Sequence, residues 1–144
     1  TLFEALNQLP FYSKKSTKSL GREHLEQYFS PLIKKSDLNP ADTLSTLVEH
    51  FSFQIGSVIK SFSRKEIPSV LLSGGGAYHS YFIEGLDHYL EKNWAQVEVE
   101  SELIEFKEAM IFAFLGILRL RGEDNCLASV TGAKHDNCGG TIYS

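Results

Sequence analysis

Three consecutive glycines, Gly74 to Gly76, are the residues whose type and spacing best suit contact with a ligand. Glycine leaves backbone N–H groups unobstructed by a Cβ atom and permits positive φ angles, as a loop pressed against a phosphate, ribose or base requires. The pattern is not a P-loop, because no Gly-Lys-Ser/Thr follows, and not a dinucleotide fingerprint, because His79 replaces its last glycine. Taken alone, the glycines indicate equally a ligand loop or a tight turn that lets a strand and a helix pack closely.

Glu108 is the second candidate, an acidic residue near the start of a predicted helix. Its neighbours Ala109, Ile111 and Phe112 are apolar. A lone buried carboxylate is strongly destabilising unless it is paired. Two alternatives therefore stay open: Glu108 lines a cleft, or it lies in the first helical turn, facing solvent beside Lys107, where its charge suits the helix dipole.

The remaining polar residues favour structural interpretations. Lys18 to Glu23 can form an anion site or a helix start, and the helix start is the commoner case. Thr131 to Ala133 favours a turn over a close approach of the backbone to the core. Cys126 and Cys138 lack the signature of a nucleophile and are predicted to act as small apolar residues. The histidines show no metal-ligand spacing and are predicted to lie at the surface or to be hydrogen-bonded: His24, His50, His79, His88 and His135.

Helices are predicted wherever apolar residues recur at helical spacing. Leu25 to Ile33 form such a run, which Pro31 is expected to divide into two short turns. In the next helix, Asn39 can cap the N-terminus and Pro40 suits the first position. Its apolar side chains are expected to face a core, because burial of each stabilises by roughly 1.5 to 3 kcal/mol. They are Leu44, Leu47, Val48, Phe51, Ile55, Val58, Ile59 and Phe62.

Strands are predicted on both sides of a helix that follows the glycines. Ser69 to Ser73 form an apolar run that ends at the glycines, and Val97 and Val99 indicate a second strand. A long helix is predicted from Glu105 to Leu120, and Thr141 to Tyr143 form a candidate terminal strand. This alternation predicts an α/β layered domain with a short sheet and packed helices.

Composition narrows the classes of partner. The 144 residues carry a formal net charge of −4, without a cluster of Lys and Arg, which argues against binding to nucleic acid. The longest apolar run, Ala109 to Leu118, is shorter than the ~20 residues that cross a bilayer, so a buried helix rather than a membrane span is expected there. Its apolar surface suits a core and a subunit contact equally. No leader pattern or cysteine motif is evident, which favours a cytoplasmic setting. One domain over residues 1–144 is expected, and the opening at Thr1 suggests a fragment.

Several short motifs, taken in order, resemble the C-terminal half of anhydro-N-acetylmuramic acid kinases. They are Lys18 to Glu23, Asp42 to Leu44, Ser73 to Ala77, Phe106 to Ala109 with Phe112 and Ala113, Asn125, and Val130 to Ala133. Each motif is short, but their order and spacing are specific. The resemblance extends from about residue 6 to the end of the chain.

The resemblance implies an actin-like, ribonuclease H-like sugar-kinase ATPase fold with the nucleotide and the sugar between two domains. It implies ATP-dependent opening of the 1,6-anhydro ring of anhydro-N-acetylmuramic acid to N-acetylmuramate 6-phosphate in cell-wall recycling, with Mg²⁺ as cofactor. By the same resemblance, Gly74, Gly75, Gly76, Ala77 and His79 bind the nucleotide. Glu108 binds the amino sugar. A homodimer is expected on the same ground alone.

Two departures from the family pattern bear on activity. His79 stands where the family usually has asparagine. The phosphate-binding hairpin and the aspartate base belong to the family's N-terminal half and are not in these residues. General base catalysis typically contributes about 10²- to 10⁴-fold, so this segment alone is expected to be inactive. The alternatives are a kinase for another sugar and a noncatalytic nucleotide-binding or interaction module of the same fold.

Overall fold

The computed structural model describes residues 1–15, 18, 20–62 and 67–143, which form an α/β arrangement of helices with a short parallel sheet. Two compact units are present, Thr1–Val99 and Glu100–Ser144. The helices are α1 (Leu2–Asn7), α2 (Pro10–Ser13), α3 (Arg22–His24), α4 (Ser30–Ser36), α5 (Pro40–Phe62), α6 (Ser80–Tyr89), α7 (Ser101–Arg121) and α8 (Ala128–Thr131), and the strands are β1 (Ser69–Val70) and β2 (Ala95–Gln96). The expectation of a single domain stays a prediction.

The start of α5 confirms the predicted cap. The backbone N–H of Asp42 donates to Asn39 Oδ1 at 2.9 Å, and Asn39 Nδ2 donates to the Asp42 carboxylate at 2.8 Å. Pro40 occupies the first helical position, where a backbone N–H has no partner within the helix, so proline loses no hydrogen bond there. Local chemistry therefore decides where this helix begins.

The buried face of α5 differs from the prediction. Five of its eight apolar side chains are exposed: Leu44, Phe51, Ile55, Val58 and Phe62. The buried residues are His50, Ser52 and Gly56 instead. Small residues let α6 approach closely, because a Cβ atom on Gly56 would lie 3.0 Å from Tyr89 Cβ. The helix thus turns its small and polar residues toward its neighbours, and the predicted apolar stripe is covered only in part.

The segment around Pro31 is also different. Instead of two separate turns, the chain stays helical from Arg22 to Ser36, with a π-helical turn at Leu25–Phe29 between α3 and α4. Ser30 N donates to Leu25 O, five residues back, and Pro31 then sits at the start of α4. A widened turn of this kind lets a helix continue past a residue that lacks an N–H.

A small apolar core joins α1 to the π-helical turn. It consists of Leu2, Leu6 and Phe29, with Leu32 and Leu47 packed against it. Leu86 and Leu90 are buried farther along the same unit, at the end of α6. The core is held by side chains distant in sequence.

The first strand of the sheet precedes the glycine loop in the chain. β1 and β2 are parallel, with Ser69 opposite Ala95 and Val70 opposite Gln96. Val97 N donates to Val70 O at 2.9 Å just beyond them. The first predicted strand is confirmed at Ser69 and Val70 but ends before Ser73. The second lies just before its predicted position, because β2 contains neither Val97 nor Val99.

The second unit is built on α7. Gly122 ends this helix with φ 71°, a left-handed conformation, and the next N–H, of Glu123, donates to Leu118 O at 2.9 Å. None of the residues of α7 is buried, so the prediction of a buried helix from Ala109 to Leu118 was wrong: the described residues do not cover it. No helix among them is both long and apolar enough to span a bilayer.

The segment after α7 is held by polar contacts. Asn125 Nδ2 donates to Leu115 O and to Gly139 O, both at 3.1 Å, and its Oδ1 accepts from Gly139 N at 2.7 Å. An antiparallel bridge joins Cys126 to Asn137. The predicted terminal strand was wrong, because residues 141–143 form no ladder and the bridge occurs earlier.

Candidate functional site

The glycine loop begins at Gly74, and residues 71–73 separate it from the end of β1. Gly74 has φ 82° and ψ 176°, a region of backbone conformation that only glycine commonly adopts. The first glycine is therefore required by the turn itself. This part of the loop agrees with the tight-turn alternative.

Gly75 and Gly76 are different, because neither has a positive φ angle. A Cβ atom built on either residue meets no described atom within 4 Å, and both residues are exposed. Neither backbone strain nor close packing of a strand and a helix accounts for glycine at these two positions. The space above them is open to a ligand or to another part of a protein.

The two glycines start a short 3₁₀ helix, Gly75–Tyr78. Ala77 N donates to Gly74 O at 2.9 Å and His79 N donates to Gly76 O at 3.1 Å. Gly75 and Gly76 come before Ala77 in the chain, so their N–H groups take no part in these two bonds. They are placed at the surface, where an anionic group can accept hydrogen bonds from them.

His79 ends the loop and caps α6. Its Nδ1 accepts a hydrogen bond from Phe82 N at 3.2 Å. In a neutral ring the proton is then on Nε2, which can donate to a ligand. The asparagine expected here from the family resemblance is itself a preferred N-cap residue, so histidine preserves the capping function. Sequence reasoning considered only the ligand contact and missed the cap.

Glu108 lies in the second unit, on α7. The helix begins at Ser101 rather than at Glu105, which puts Glu108 about two turns inside it. The first-turn alternative is therefore wrong, since the dipole effect fades within the first turn. Glu108 is exposed, and among the described residues its carboxylate has no hydrogen bond or ion pair. The exposed side chains of Ile111 and Phe112 lie nearby on the same helix.

Two other predicted motifs contain the local structures that the sequence favours. The helix start in the Lys18 to Glu23 motif is confirmed, although Ser19 lies outside the described residues. The helix α3 begins at Arg22, and Gly21 N donates to His24 Nδ1 at 3.3 Å. The turn at Thr131 to Ala133 is confirmed as well. Gly132 ends α8 with φ 75°, and the Thr131 hydroxyl donates to Leu127 O at 2.9 Å.

A buried polar network in the first unit confirms the hydrogen-bonded alternative for His50, although its partners were not predicted. His50 is fully buried; Tyr12 Oη donates to its Nε2 at 2.7 Å, and its Nδ1 donates to Asn7 Oδ1 at 2.9 Å. Gln54 Nε2 also donates to Asn7 Oδ1, at 2.8 Å. Burial lowers the pKa of His50 to about 4, so the ring is neutral at pH 7. The network joins α1, α2 and α5 and has a structural role.

Comparison with known proteins identifies the family. A model of the family described as anhydro-N-acetylmuramic acid kinase matches residues 1–144. The protein of that name from Legionella pneumophila (strain Paris) is 33% identical over 146 residues, covering 99% of this chain and 39% of the relative. Those from Sulfurovum sp. (strain NBC37-1) and Aliivibrio fischeri are 30% and 31% identical, with 99% and 97% of this chain covered. The chain spans about 39% of the length of such relatives. The chain belongs to the anhydro-N-acetylmuramic acid kinase family.

Proposed function

We propose that this chain is the C-terminal part of a cytoplasmic, ATP-dependent kinase that converts 1,6-anhydro-N-acetylmuramic acid to N-acetylmuramate 6-phosphate during cell-wall recycling. The observation that carries the proposal is the family match over residues 1–144. The α/β arrangement with a short parallel sheet is compatible with one domain of an actin-like sugar kinase. A homodimer is proposed from the family alone.

Gly74 to Ala77 and His79 are proposed to contact the nucleotide. Two features support this: the open space above Gly75 and Gly76, and the exposure of both residues. Phosphate, ribose hydroxyl and base edges can all accept hydrogen bonds from such N–H groups. Mg²⁺ is assigned to the phosphate oxygens of ATP, since it prefers oxygen ligands and commonly binds through substrate phosphates.

Glu108 is proposed to contact the sugar. Its carboxylate is exposed and, among the described residues, unpaired, so it can accept hydrogen bonds from sugar hydroxyl or amide groups without first breaking an ion pair. Hydrogen bonds to a charged group contribute about 1.5 to 3 kcal/mol. Exposed apolar side chains beside it, such as Phe112, would exclude water once a sugar or a second domain covers them.

The chemical step is assigned to the remainder of the kinase. Opening the anhydro ring requires a base that takes a proton from water as the water oxygen bonds to C1 and the bond between C1 and the 6-oxygen breaks. The 6-oxygen takes the terminal phosphoryl group of ATP, and ADP leaves. The family places that base and the phosphate hairpin in its N-terminal half. This chain positions the two substrates. Its glycine loop contacts the nucleotide from one side, and Glu108 contacts the sugar.

The decisive experiment assays the complete natural polypeptide that contains this chain. With ATP and Mg²⁺, it should phosphorylate 1,6-anhydro-N-acetylmuramic acid, and Glu108→Gln should raise the KM for the sugar about tenfold or more. The KM for ATP should change little. Turnover of other amino sugars but not this one would reassign the substrate, and ATP binding without turnover of any sugar would favour a noncatalytic module.

A further inference from the structure

The first unit contains a cavity that the proposed kinase function does not use. Its volume is about 310 Å³, within the range of small-molecule sites. It lies between α2 and the helical stretch that starts at Arg22, and it shares no lining residue with the glycine loop. Its wall is mostly apolar and includes the rings of Phe11, Tyr28 and Phe29. Such a wall suits an aromatic or compact aliphatic group.

Two lysines also line this cavity, Lys14 and Lys18. Lys18 Nζ donates to Tyr12 O at 2.9 Å and lies 5.6 Å from the centroid of the Phe11 ring, so its ammonium group is held in place. No Asp or Glu is among the described lining residues. The cavity is therefore locally cationic in a chain whose formal net charge is −4.

We propose that this cavity binds a small amphipathic anion, with an aromatic or compact apolar body against Phe11, Tyr28 and Phe29 and a carboxylate, sulfonate or phosphate beside Lys14 and Lys18. Apolar burial provides affinity, and the cations select an anionic group over a neutral one. The site accounts for Lys18 of the Lys18 to Glu23 motif, whose helix start alone does not need this lysine. The proposal does not depend on the kinase activity.

Isothermal titration calorimetry on the complete natural polypeptide tests this proposal, with 2-naphthalenesulfonate as the probe. It should bind saturably at one site per chain. The matched neutral compound, 2-naphthalenemethanol, should bind about tenfold or more weakly, because one charge-assisted hydrogen bond contributes roughly 1.5 to 3 kcal/mol. Absence of saturable binding, including the case in which another segment of the polypeptide fills the cavity, would overturn the proposal.

Two sets of variants locate the binding. Lys14→Gln with Lys18→Gln should weaken the sulfonate about tenfold and leave the neutral compound unchanged. Lys34→Gln with Lys35→Gln removes the same charge from α4 outside this cavity and should change neither affinity. Leu20→Trp, at an exposed rim position, should block both compounds. Equal effects of the two lysine pairs, or unaltered binding in Leu20→Trp, would contradict the site.

Discussion

Alanine substitutions in the glycine loop should show which glycines are required by the backbone conformation and which by contact with the ligand. Gly74→Ala forces a Cβ atom into a conformation with φ 82° and ψ 176°, and such strain costs about 1 to 3 kcal/mol of unfolding free energy. Gly75→Ala and Gly76→Ala face open space and have no positive φ angle. They should leave stability unchanged or raise it by about 0.4 to 1 kcal/mol, because alanine restricts the unfolded chain.

Two of these variants should weaken ATP binding without losing stability. A methyl group on Gly75 or Gly76 would occupy the space from which the nucleotide approaches the backbone, and the Kd for ATP should rise about tenfold or more, equivalent to about 1.4 kcal/mol. Urea unfolding and isothermal titration calorimetry on the complete polypeptide measure the two effects. Unchanged ATP affinity in both variants would refute the nucleotide role of the loop. A loss of stability in Gly75→Ala equal to that in Gly74→Ala would refute the structural reasoning.

Two further predictions concern histidines. The pKa of buried His50 is lowered from 6.5 to about 4, so its stabilising contribution is complete above pH 6.5 and should fall by about 3 kcal/mol as the pH drops to about 4. Urea unfolding of the complete polypeptide, followed by the fluorescence of Trp94, the single tryptophan of these 144 residues, measures this, and an unchanged pH slope in His50→Gln would contradict it. His79→Ala should lose about 1 kcal/mol of unfolding free energy through the missing cap, whereas His79→Asn should retain it. Equal stability of these two His79 variants would show that the cap bond contributes nothing.

Features set by neighbouring residues were predictable. Asn39 and Pro40 start α5 as expected, since a cap depends only on the side chain and the N–H groups of the next turn. The helix start at Arg22 and the turn at Gly132 follow from equally local chemistry. The boundaries of α7 and β2 were less accurate, because apolar spacing marks the middle of an element better than its ends.

Features set by distant partners were not predictable. The choice of which face of α5 is buried depends on Asn7 and Phe82, which contact His50 and Ser52 from other helices. Apolar spacing alone therefore pointed to the wrong side chains. Tyr12 and His50 are far apart in the sequence, and no local motif predicts their contact.

The sequence by itself determined the family, the main helices α5, α6 and α7, and the position of the glycine loop, because each depends on residue types at short spacing. Only the tertiary structure separated the three glycines. Gly74 is needed for its positive φ angle, whereas Gly75 and Gly76 have neither strain nor a close neighbour. Contact with an atom many residues away, or its absence, is decided by packing in three dimensions, and spacing along the chain does not encode it.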